Sequence, residues 1–343
     1  MEMVPWHLTL RARDFGLILR VGRTLPAQLG RNKKPKPLLP PAPIGAGGAR
    51  EREESEFTMS RHTPVLLKEI ITALGIRPNG DYLDGTVGGG GHAQAILAEL
   101  RTGRVLGLDR DPLAIERLVT QRGPKTSNFL LINASYDQTP EVVRELGWSG
   151  LDGALLDLGL SSLQLDDAAR GLSFRLSGPL DLRFNQSEGR PAAELLKRWS
   201  VRELADILER YGELRRTQTL ARQIKAFGPI LTTDQLVQAS GLVHPRRLSQ
   251  LFQAIRIATN NELLTLERGL PAIWSVLSPT ARLAVISFQS LEDRIVKHFF
   301  IQQVQLGQGQ LLEKKPITTS AREQASNPRS RSAKLRVIEK LVV

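Results

Sequence analysis

Residues 81–92 constrain the fold of this chain most strongly, because a short strand pattern runs directly into a series of glycines. The apolar centre of Asp81–Asp84 predicts a buried strand, and Gly88–Gly91 then follow without a single Cβ atom. A backbone without Cβ atoms can approach a ligand closely. An apolar helical pattern starts at Ala93, so the N–H groups that open this helix point at the same ligand.

A second strand pattern, Val105–Leu108, ends in Asp109. A carboxylate at the tip of the next parallel strand is well placed to accept both hydroxyls of a ribose. The strand, the glycine turn, the helix and this acid together predict a site for a nucleoside-containing cofactor. No Gly-Lys-Ser/Thr follows the glycines, which excludes a phosphate-binding P-loop here. A dinucleotide and S-adenosylmethionine both stay open, since successive glycines fit many patterns by chance.

The composition excludes several other kinds of site. The 343 residues contain no cysteine, which removes disulfides, thiolate metal ligands and cysteine nucleophiles and suits a reducing cytoplasm. The five histidines show no metal-ligand spacing, so no metal site is predicted. No stretch approaches the roughly 18 apolar residues of a membrane span, so we expect a cytoplasmic protein without a membrane partner. The sequence does not indicate an oligomeric state.

The chain is strongly basic, with 47 Lys and Arg against 35 Asp and Glu and a net charge of +12. Residues 1–58 hold ten of the basic and six of the acidic side chains, so most of the excess lies in residues 59–343. A basic folded part favours a polyanionic partner, with nucleic acid as the first candidate. A generally basic protein without such a partner has the same composition, so charge alone does not decide.

Residues 1–58 differ from the rest of the chain. They are rich in Pro, Gly and basic side chains and sustain no periodic apolar face, which is typical of a disordered basic extension. We expect Met59 to be the natural start, with the residues before it either not translated or a dispensable tail. Thr63 and Pro64 then form a favourable N-cap and first position for a helix over 65–74.

Strand and helix patterns alternate after this helix. Strands are predicted at 81–85, 104–109, 129–133 and 152–158, with helices at 92–100, 112–121 and 139–146. Such alternation predicts a parallel sheet with right-handed crossovers.

The alternation stops at about residue 165 and returns near residue 282. Later elements are predicted as a strand at 282–288, a helix at 291–303, and two strands near 310–317 and 334–341 that can form a hairpin around a polar, basic loop at 318–334. Residues 165–250 have a helical and polar pattern. We therefore predict an all-helical domain at 165–250, inserted into an α/β core formed by 59–164 and 251–343.

Several short motifs occur in a characteristic order along residues 59–343. They are His62–Leu67, Asp84–His92, Leu108–Pro112, Leu155–Asp166, Gly178–Asp181, Phe252–Ile257, Ser290–Arg294 and Asn327–Ser332. In this order they resemble the bacterial 16S rRNA cytosine-N4 methyltransferases, the MraW family. The resemblance implies a class I S-adenosylmethionine-dependent methyltransferase core, which is Rossmann-like, with the helical insertion serving RNA recognition. It also implies methyl transfer to N4 of a cytidine in the decoding region of 16S rRNA, with the small ribosomal subunit as partner.

The resemblance also assigns residues to the S-adenosylmethionine site. These are Gly90, Gly91, His92, Asp109, Tyr136, Asp157 and Gln164. The first three are implied at the methionine end of the cofactor, Asp109 at the ribose, Tyr136 at the adenine, and Asp157 at the α-ammonium. Four of them have an ordinary alternative: His92 and Asp109 fit a helix cap, Tyr136 a half-buried core tyrosine and Gln164 a solvated loop amide.

Basic residues are the expected contacts to RNA phosphates. The cluster Arg329, Arg331 and Lys334 is the first candidate. The insertion adds Arg183, Arg190, Lys197, Arg198, Arg215 and Arg216, for each of which a solvated helix face is the alternative.

Two departures from the family pattern keep other functions open. Gln289 stands where the family usually has His, and 244–250 differs from the shorter stretch of the family. No catalytic residue is assigned. An NAD-dependent oxidoreductase, supported only by the glycine turn and Asp109, is one alternative. The other alternative is a non-catalytic RNA-binding protein that keeps the methyltransferase fold. Gln289 in place of the usual His favours this alternative.

Overall fold

The computed structural model describes residues 64–122 and 128–342. The predicted extension at 1–58 and the capping role of Thr63 lie outside the described residues. Within the described ranges, no helix combines the length and the apolar character that crossing a membrane requires.

Eight strands within the described ranges form one sheet. Their bounds are β1 Asp81–Asp84, β2 Arg104–Asp109, β3 Phe129–Asn133, β4 Leu151–Asp157, β5 Leu277–Ser287, β6 Gly309–Leu311, β7 Ile317–Thr318 and β8 Lys334–Lys340. The strand order is β3-β2-β1-β4-β5-β8-β6, and β7 also pairs with β8. Strands β1 to β5 run parallel, whereas β8 is antiparallel to β5. This arrangement confirms the predicted Rossmann-like α/β core.

Helices pack on both faces of this sheet and also form a separate bundle. They are α1 Leu67–Leu74, α2 Gly91–Glu99, α3 Pro112–Arg122, α4 Thr139–Glu145, α5 Ser162–Leu165, α6 Ala192–Arg198, α7 Val201–Gly212, α8 Thr217–Ala226, α9 Thr233–Ser240, α10 Pro245–Asn260, α11 Glu262–Val276, α12 Ser290–Gln305 and α13 Ala321–Ser326. Successive strand residues point to opposite faces. Leu83 accordingly packs in the cluster of α4, α11 and α12, whereas Tyr82 packs in the cluster of α1, α2 and α3.

Helices α6 to α10 form a bundle with an apolar core of its own. The predicted end of the insertion at residue 250 falls inside α10, and Leu251, Phe252 and Ile255 pack in the bundle core. The predicted division therefore falls within one continuous helix that presents one apolar stripe. The domain bounds stay a prediction, and α11 is the element that returns the chain to the sheet.

Three other predictions differ from the structure in detail. Helix α1 begins at Leu67 instead of 65, because Leu66 adopts a left-handed φ of 54°. The strand near 310–317 is interrupted, and its two parts, β6 and β7, pair separately with β8. The predicted loop 318–334 contains α13 and the 3-10 helix Pro328–Ser332; Ser320 caps α13 by accepting the N–H of Glu323 at 3.2 Å.

Candidate active site

Three aspartates meet at the carboxyl edge of the parallel strands. Asp84 ends β1, Asp109 ends β2 and Asp157 ends β4, and β1 lies between the other two strands. Parallel strands end at one edge of the sheet, where open α/β folds bind their ligands. Asp84 was not among the predicted site residues, and it is only 1% exposed. Its Oδ1 accepts a hydrogen bond from the N–H of Thr86 at 3.2 Å.

Burial determines the protonation of these carboxyls. It raises the pKa of Asp84 and of Asp157 to about 7, and that of Asp109 to about 6. The charge of His92 lowers the pKa of Asp84, whereas the charges of Asp157 and Asp109 raise it. Burial and the charges of neighbouring carboxylates thus favour the neutral forms, so a cationic ligand at this edge would favour ionisation.

The glycine turn is hydrogen-bonded to one of the three carboxyls. Gly88 has a left-handed φ of 46°, and its N–H donates to Oδ2 of Asp109 at 2.9 Å. Gly90, with a φ of 76°, is the N-cap of α2. Side chains are rarely tolerated in this region of φ, which explains glycine at both positions. The turn and Asp109 therefore form one unit.

The lack of Cβ atoms at Gly90 and Gly91 serves packing inside the protein. A Cβ at Gly90 would lie 2.7 Å from Cδ2 of Leu118, and one at Gly91 would collide with Cγ of Pro64. Contact of these two glycines with a cofactor stays a prediction. Gly89 differs, because a Cβ there would meet no atom of the other described residues within 4 Å. Gly89 is thus the open position of the turn.

His92 is buried at the start of α2 and faces one of the aspartates. Its Nε2 lies 2.9 Å from the carbonyl oxygen of Val65, which can only accept, so Nε2 carries a proton. Its Nδ1 lies 3.6 Å from Oδ2 of Asp157. Burial lowers the pKa of His92, and the charge of Asp84 raises it. The ring therefore connects the backbone before α1 to the carboxyl edge, and its predicted contact with a cofactor stays a prediction.

Gln164 is joined to Asp109 through Asp111 and is not a solvated loop amide. Its Oε1 accepts the N–H of Ser161 at 3.1 Å, and its Nε2 donates to Oδ2 of Asp111 at 2.9 Å. The N–H of Asp111 donates in turn to Oδ1 of Asp109 at 2.8 Å. Asp111 also caps α3 by accepting the N–H of Leu113 at 3.1 Å. The structure therefore brings Gln164 and Asp109 together.

Tyr136 lies directly after β3 and is buried in the core. It shares a hydrophobic cluster with Leu83 and Leu156. A Cβ added to Gly269 of α11 would collide with ring atoms Cδ2 and Cε2 of Tyr136, so this edge of the ring packs on a helix backbone. Burial raises the pKa of its hydroxyl well above the usual range. These contacts are those of a core tyrosine, and a contact with adenine stays a prediction.

Comparison with known proteins decides the family. The sequence model of the MraW methylase family matches residues 59–341. This chain belongs to the MraW methylase family. A protein named ribosomal RNA small subunit methyltransferase H from Heliobacterium mobile is 42% identical over 308 residues, which cover 82% of this chain and 99% of that one.

A second relative and one solved structure are also similar. The protein of the same name from Nitrosococcus oceani is 44% identical over 310 residues, with 82% of this chain and 98% of that one covered. The crystal structure of an rRNA methylase from Streptococcus thermophilus matches at 12% identity and a TM-score of 0.37, over 80% of this chain and 95% of that one.

S-adenosylmethionine, the predicted cofactor, is that of the MraW family, and the carboxyl edge fits its two positive charges. Asp157 shows the fit most directly. Its Oδ1 is buried without a hydrogen-bond partner in the part of the chain that the structure describes. An acceptor in this situation costs free energy unless a donor arrives. The α-ammonium group of S-adenosylmethionine would supply N–H donors to this oxygen. It would also supply a positive charge that compensates the negative charge of the carboxylate.

The three basic residues predicted to bind RNA in this MraW family member have different surroundings. Lys334 donates to Oδ2 of Asp293 at 3.1 Å, where Arg336 also binds, so its ammonium already has an ion-pair partner. Arg329 donates to Oδ1 of Asp166 at 3.0 Å, and both side chains are exposed. Arg331 is exposed and forms no ion pair with another described residue. Arg331 is therefore the most available cation of the three.

Some basic residues of the insertion form ion pairs and others do not. Arg183 pairs with Asp181, and Arg190 and Arg198 pair with Glu194. In contrast, the arginines between α7 and α8 are exposed and have no ion-pair partner within 64–122 and 128–342; they are Arg215 and Arg216. These two leave their charge available to a polyanion.

Sequence reasoning missed two residues of this site and could have found one of them. Asp84 had a signal, since it ends the strand directly before the glycine turn. The other residue is Arg170, which is 3% exposed and donates to Oδ2 of Asp111 at 2.8 Å. It had no signal, because an arginine in a polar segment is indistinguishable from a solvated one until the fold buries it. At Gln289, where the family usually has His, Oε1 is buried without a hydrogen-bond partner among the described residues.

Proposed function

We propose that this protein transfers a methyl group from S-adenosylmethionine to the N4 atom of a cytidine in the decoding region of 16S rRNA. Membership of the MraW methylase family is the observation that carries the proposal. Two relatives, 42% and 44% identical, are named ribosomal RNA small subunit methyltransferase H, which supports RNA of the small subunit as the substrate. The net charge of +12 supports a polyanionic substrate.

Residues at the carboxyl edge are suited to hold the cofactor. Asp109 would accept hydrogen bonds from the ribose hydroxyls, Asp157 from the α-ammonium, and Gly89 leaves room beside the turn. When bound, S-adenosylmethionine supplies a methyl group that is electrophilic because it sits on a positively charged sulfur. Since the pKa values of Asp109 and Asp157 are raised to about 6 and 7, both carboxyls can ionise near neutral pH.

The protein contributes chiefly by positioning the acceptor base. The lone pair of N4 is delocalised into the cytosine ring. After methylation the nitrogen loses a proton readily, so no strong base is required. Holding two reacting groups in line can contribute ~7–11 kcal/mol. The loop after β4 is suited to this role, because the N–H of Leu158 donates to the carbonyl of Ile286 at 3.0 Å and anchors the loop to β5.

The RNA must present an unstacked base to this edge of the sheet. A base that is stacked on its neighbours cannot reach a recessed site, so the target cytidine has to be splayed out. Exposed arginines would bind the flanking phosphates, which fix the position of the RNA without reading its sequence. Arg331, Arg215 and Arg216 are the best placed, since each is exposed.

The proposal is tested by locating the transferred methyl group. Purified protein is incubated with methyl-labelled S-adenosylmethionine and small ribosomal subunits from a strain that lacks the corresponding methylase. Nucleoside mass spectrometry is then expected to show N4-methylcytidine at one position of the decoding region. Asp109→Asn should strongly reduce labelling at a limiting concentration of S-adenosylmethionine, whereas Asp206→Asn, at an exposed carboxylate of α7, should retain it. Label on another atom or base would contradict the proposal.

The same material separates the two alternative functions. An oxidoreductase would bind NADH, whereas the proposal requires binding of S-adenosylhomocysteine and none of NADH. A non-catalytic RNA-binding protein would retain small-subunit RNA but leave it unlabelled. Either result would replace methyl transfer as the function.

A further inference from the structure

Arg170 lies between the cofactor edge and the helical insertion. It ends the 3-10 helix Ala168–Arg170 and is only 3% exposed. One amino group of its guanidinium, NH1, donates to Oδ2 of Asp111 at 2.8 Å. The other, NH2, donates to the carbonyl oxygens of Phe184 at 2.6 Å and of Arg183 at 3.2 Å. A single planar side chain thus contacts both parts of the molecule.

On the cofactor side, Arg170 completes the hydrogen bonding of Asp111. Both carboxylate oxygens of Asp111 are engaged, because Oδ1 accepts from Leu113 and Oδ2 from Gln164 and Arg170. The backbone of Asp111 in turn holds Oδ1 of Asp109. The positive charge of Arg170 also lowers the pKa of Asp109, although burial and the charge of Asp111 raise it. Arg170 therefore favours the ionised form that can accept ribose hydroxyls.

On the insertion side, the backbone that Arg170 holds is fixed from a second direction. The N–H of Phe184 donates to Oδ1 of Asn260 at 2.8 Å, and Nδ2 of Asn260 donates to the carbonyl of Leu182 at 2.7 Å. The carbonyl oxygen of Asn260 accepts from Arg110 at 2.9 Å. Arg110 directly follows Asp109, so the network starts and ends at the tip of β2.

A buried ion pair adds little net stability, because desolvation offsets its attraction. The clearer consequence of this arrangement is geometric. Asp111 cannot move relative to the segment 182–184 without breaking hydrogen bonds to Arg170, and Gln164 donates to the same oxygen of Asp111. A lysine in its place would keep the charge but not the planar fork that reaches both sides at once.

We propose that Arg170 is a positioning residue that couples binding of S-adenosylmethionine at the tip of β2 to binding of RNA by the helical insertion. The inference rests on the proposed function, since it takes the cofactor and the RNA from there. Each ligand orders one side of the same network, so binding of either one makes binding of the other more favourable. Such coupling is reciprocal and typically amounts to a factor of about 5–150.

Arg170→Lys tests this proposal, with Arg175→Lys as the matched control on the same segment. Arg175 is exposed and pairs with no carboxylate among the described residues. The dissociation constant of S-adenosylhomocysteine is measured with and without saturating small ribosomal subunits. In the wild type and in Arg175→Lys, the subunits should tighten binding at least about fivefold. In Arg170→Lys this factor should fall to about one, and an unchanged factor would overturn the proposal.

A second variant tests whether lost coupling is caused merely by loss of folding. Arg170→Met combined with Asp111→Asn removes both charges, so no buried charge is left unpaired. Thermal unfolding confirms that each variant is folded at the temperature of the assay. A folded double variant should also lose the coupling, and one that kept it would contradict the role of Arg170.

The outcome also distinguishes this inference from the proposed function. If the wild type neither binds S-adenosylhomocysteine nor methylates small subunits, the proposed function fails. If it methylates them with a coupling factor of one, the proposed function stands and the role of Arg170 alone is wrong.

Discussion

Nδ1 of His92 lies 3.6 Å from Oδ2 of Asp157, while Nε2 of the same ring lies 2.9 Å from the carbonyl oxygen of Val65. The carbonyl keeps a proton on Nε2, so Nδ1 is an acceptor whenever the ring is neutral. Two acceptors then face each other unless a further proton lies between them. Burial raises the pKa of Asp157 to about 7 and lowers that of His92, so the free protein holds this proton on Asp157 below about pH 7.

Cofactor affinity should therefore fall as the pH is lowered through this range. Asp157 and Asp109 are protonated below about pH 7 and 6, and a protonated carboxyl offers neither charge nor a full set of acceptors. We expect the dissociation constant of S-adenosylhomocysteine to rise by about tenfold per pH unit for each proton that binding must displace. Calorimetry in two buffers with different ionisation enthalpies should also detect proton release. An affinity that does not change with pH would contradict this assignment.

Asp109→Asn should weaken cofactor binding more than its small change in size suggests. The amide cannot accept both the N–H of Gly88 and that of Asp111, so the glycine turn loses a hydrogen bond as well as the charge. Hydrogen bonds to charged groups contribute about 1.5–3 kcal/mol, which predicts an affinity for S-adenosylhomocysteine reduced about 10- to 100-fold. Titration calorimetry checks this, with Asp206→Asn as the control that should bind like the wild type.

Two alanine substitutions in the glycine turn should have opposite consequences. Gly91→Ala forces a Cβ against Pro64, so it should lower the free energy of unfolding by about 1–3 kcal/mol. Gly89→Ala points into open space and should change the stability of the free protein by less than about 0.5 kcal/mol. Because it occupies the open position of the turn, it should nevertheless weaken binding of S-adenosylhomocysteine. Urea unfolding followed by titration measures both effects, and equal destabilisation by the two variants would refute this interpretation.

Arg331 should contribute to RNA binding and Lys334 should not. Arg331 is exposed, whereas the ammonium of Lys334 is held by Asp293 at 3.1 Å. Each phosphate contact adds roughly 0.7–0.9 to the slope of log affinity against log salt concentration. Arg331→Gln should therefore reduce this slope by about that amount, and Lys334→Gln should leave it unchanged. Filter binding of small-subunit RNA at several salt concentrations provides the test, and the reverse pattern would exclude Arg331.

Several features of the fold could be predicted because they depend on local sequence. Alternating strand and helix patterns with glycine and capping signals indicated the parallel core correctly. The packing of Leu251 and Phe252 in the bundle could not be predicted, because apolar residues of one helix have the same character whichever core they enter. The helix at Ala321–Ser326 was also missed, since so short and polar a helix depends on its Ser320 cap and on neighbouring structure.

The sequence by itself determined that a glycine turn follows β1 and that Asp109 and Asp157 each end a strand of the parallel sheet. These properties follow from residues that are adjacent in the chain. Only the tertiary structure decided that Gly91 is needed to make room for Pro64, and that Arg170 is buried against Asp111. Both depend on contacts between residues that are far apart in sequence, whose distance and burial no local pattern records.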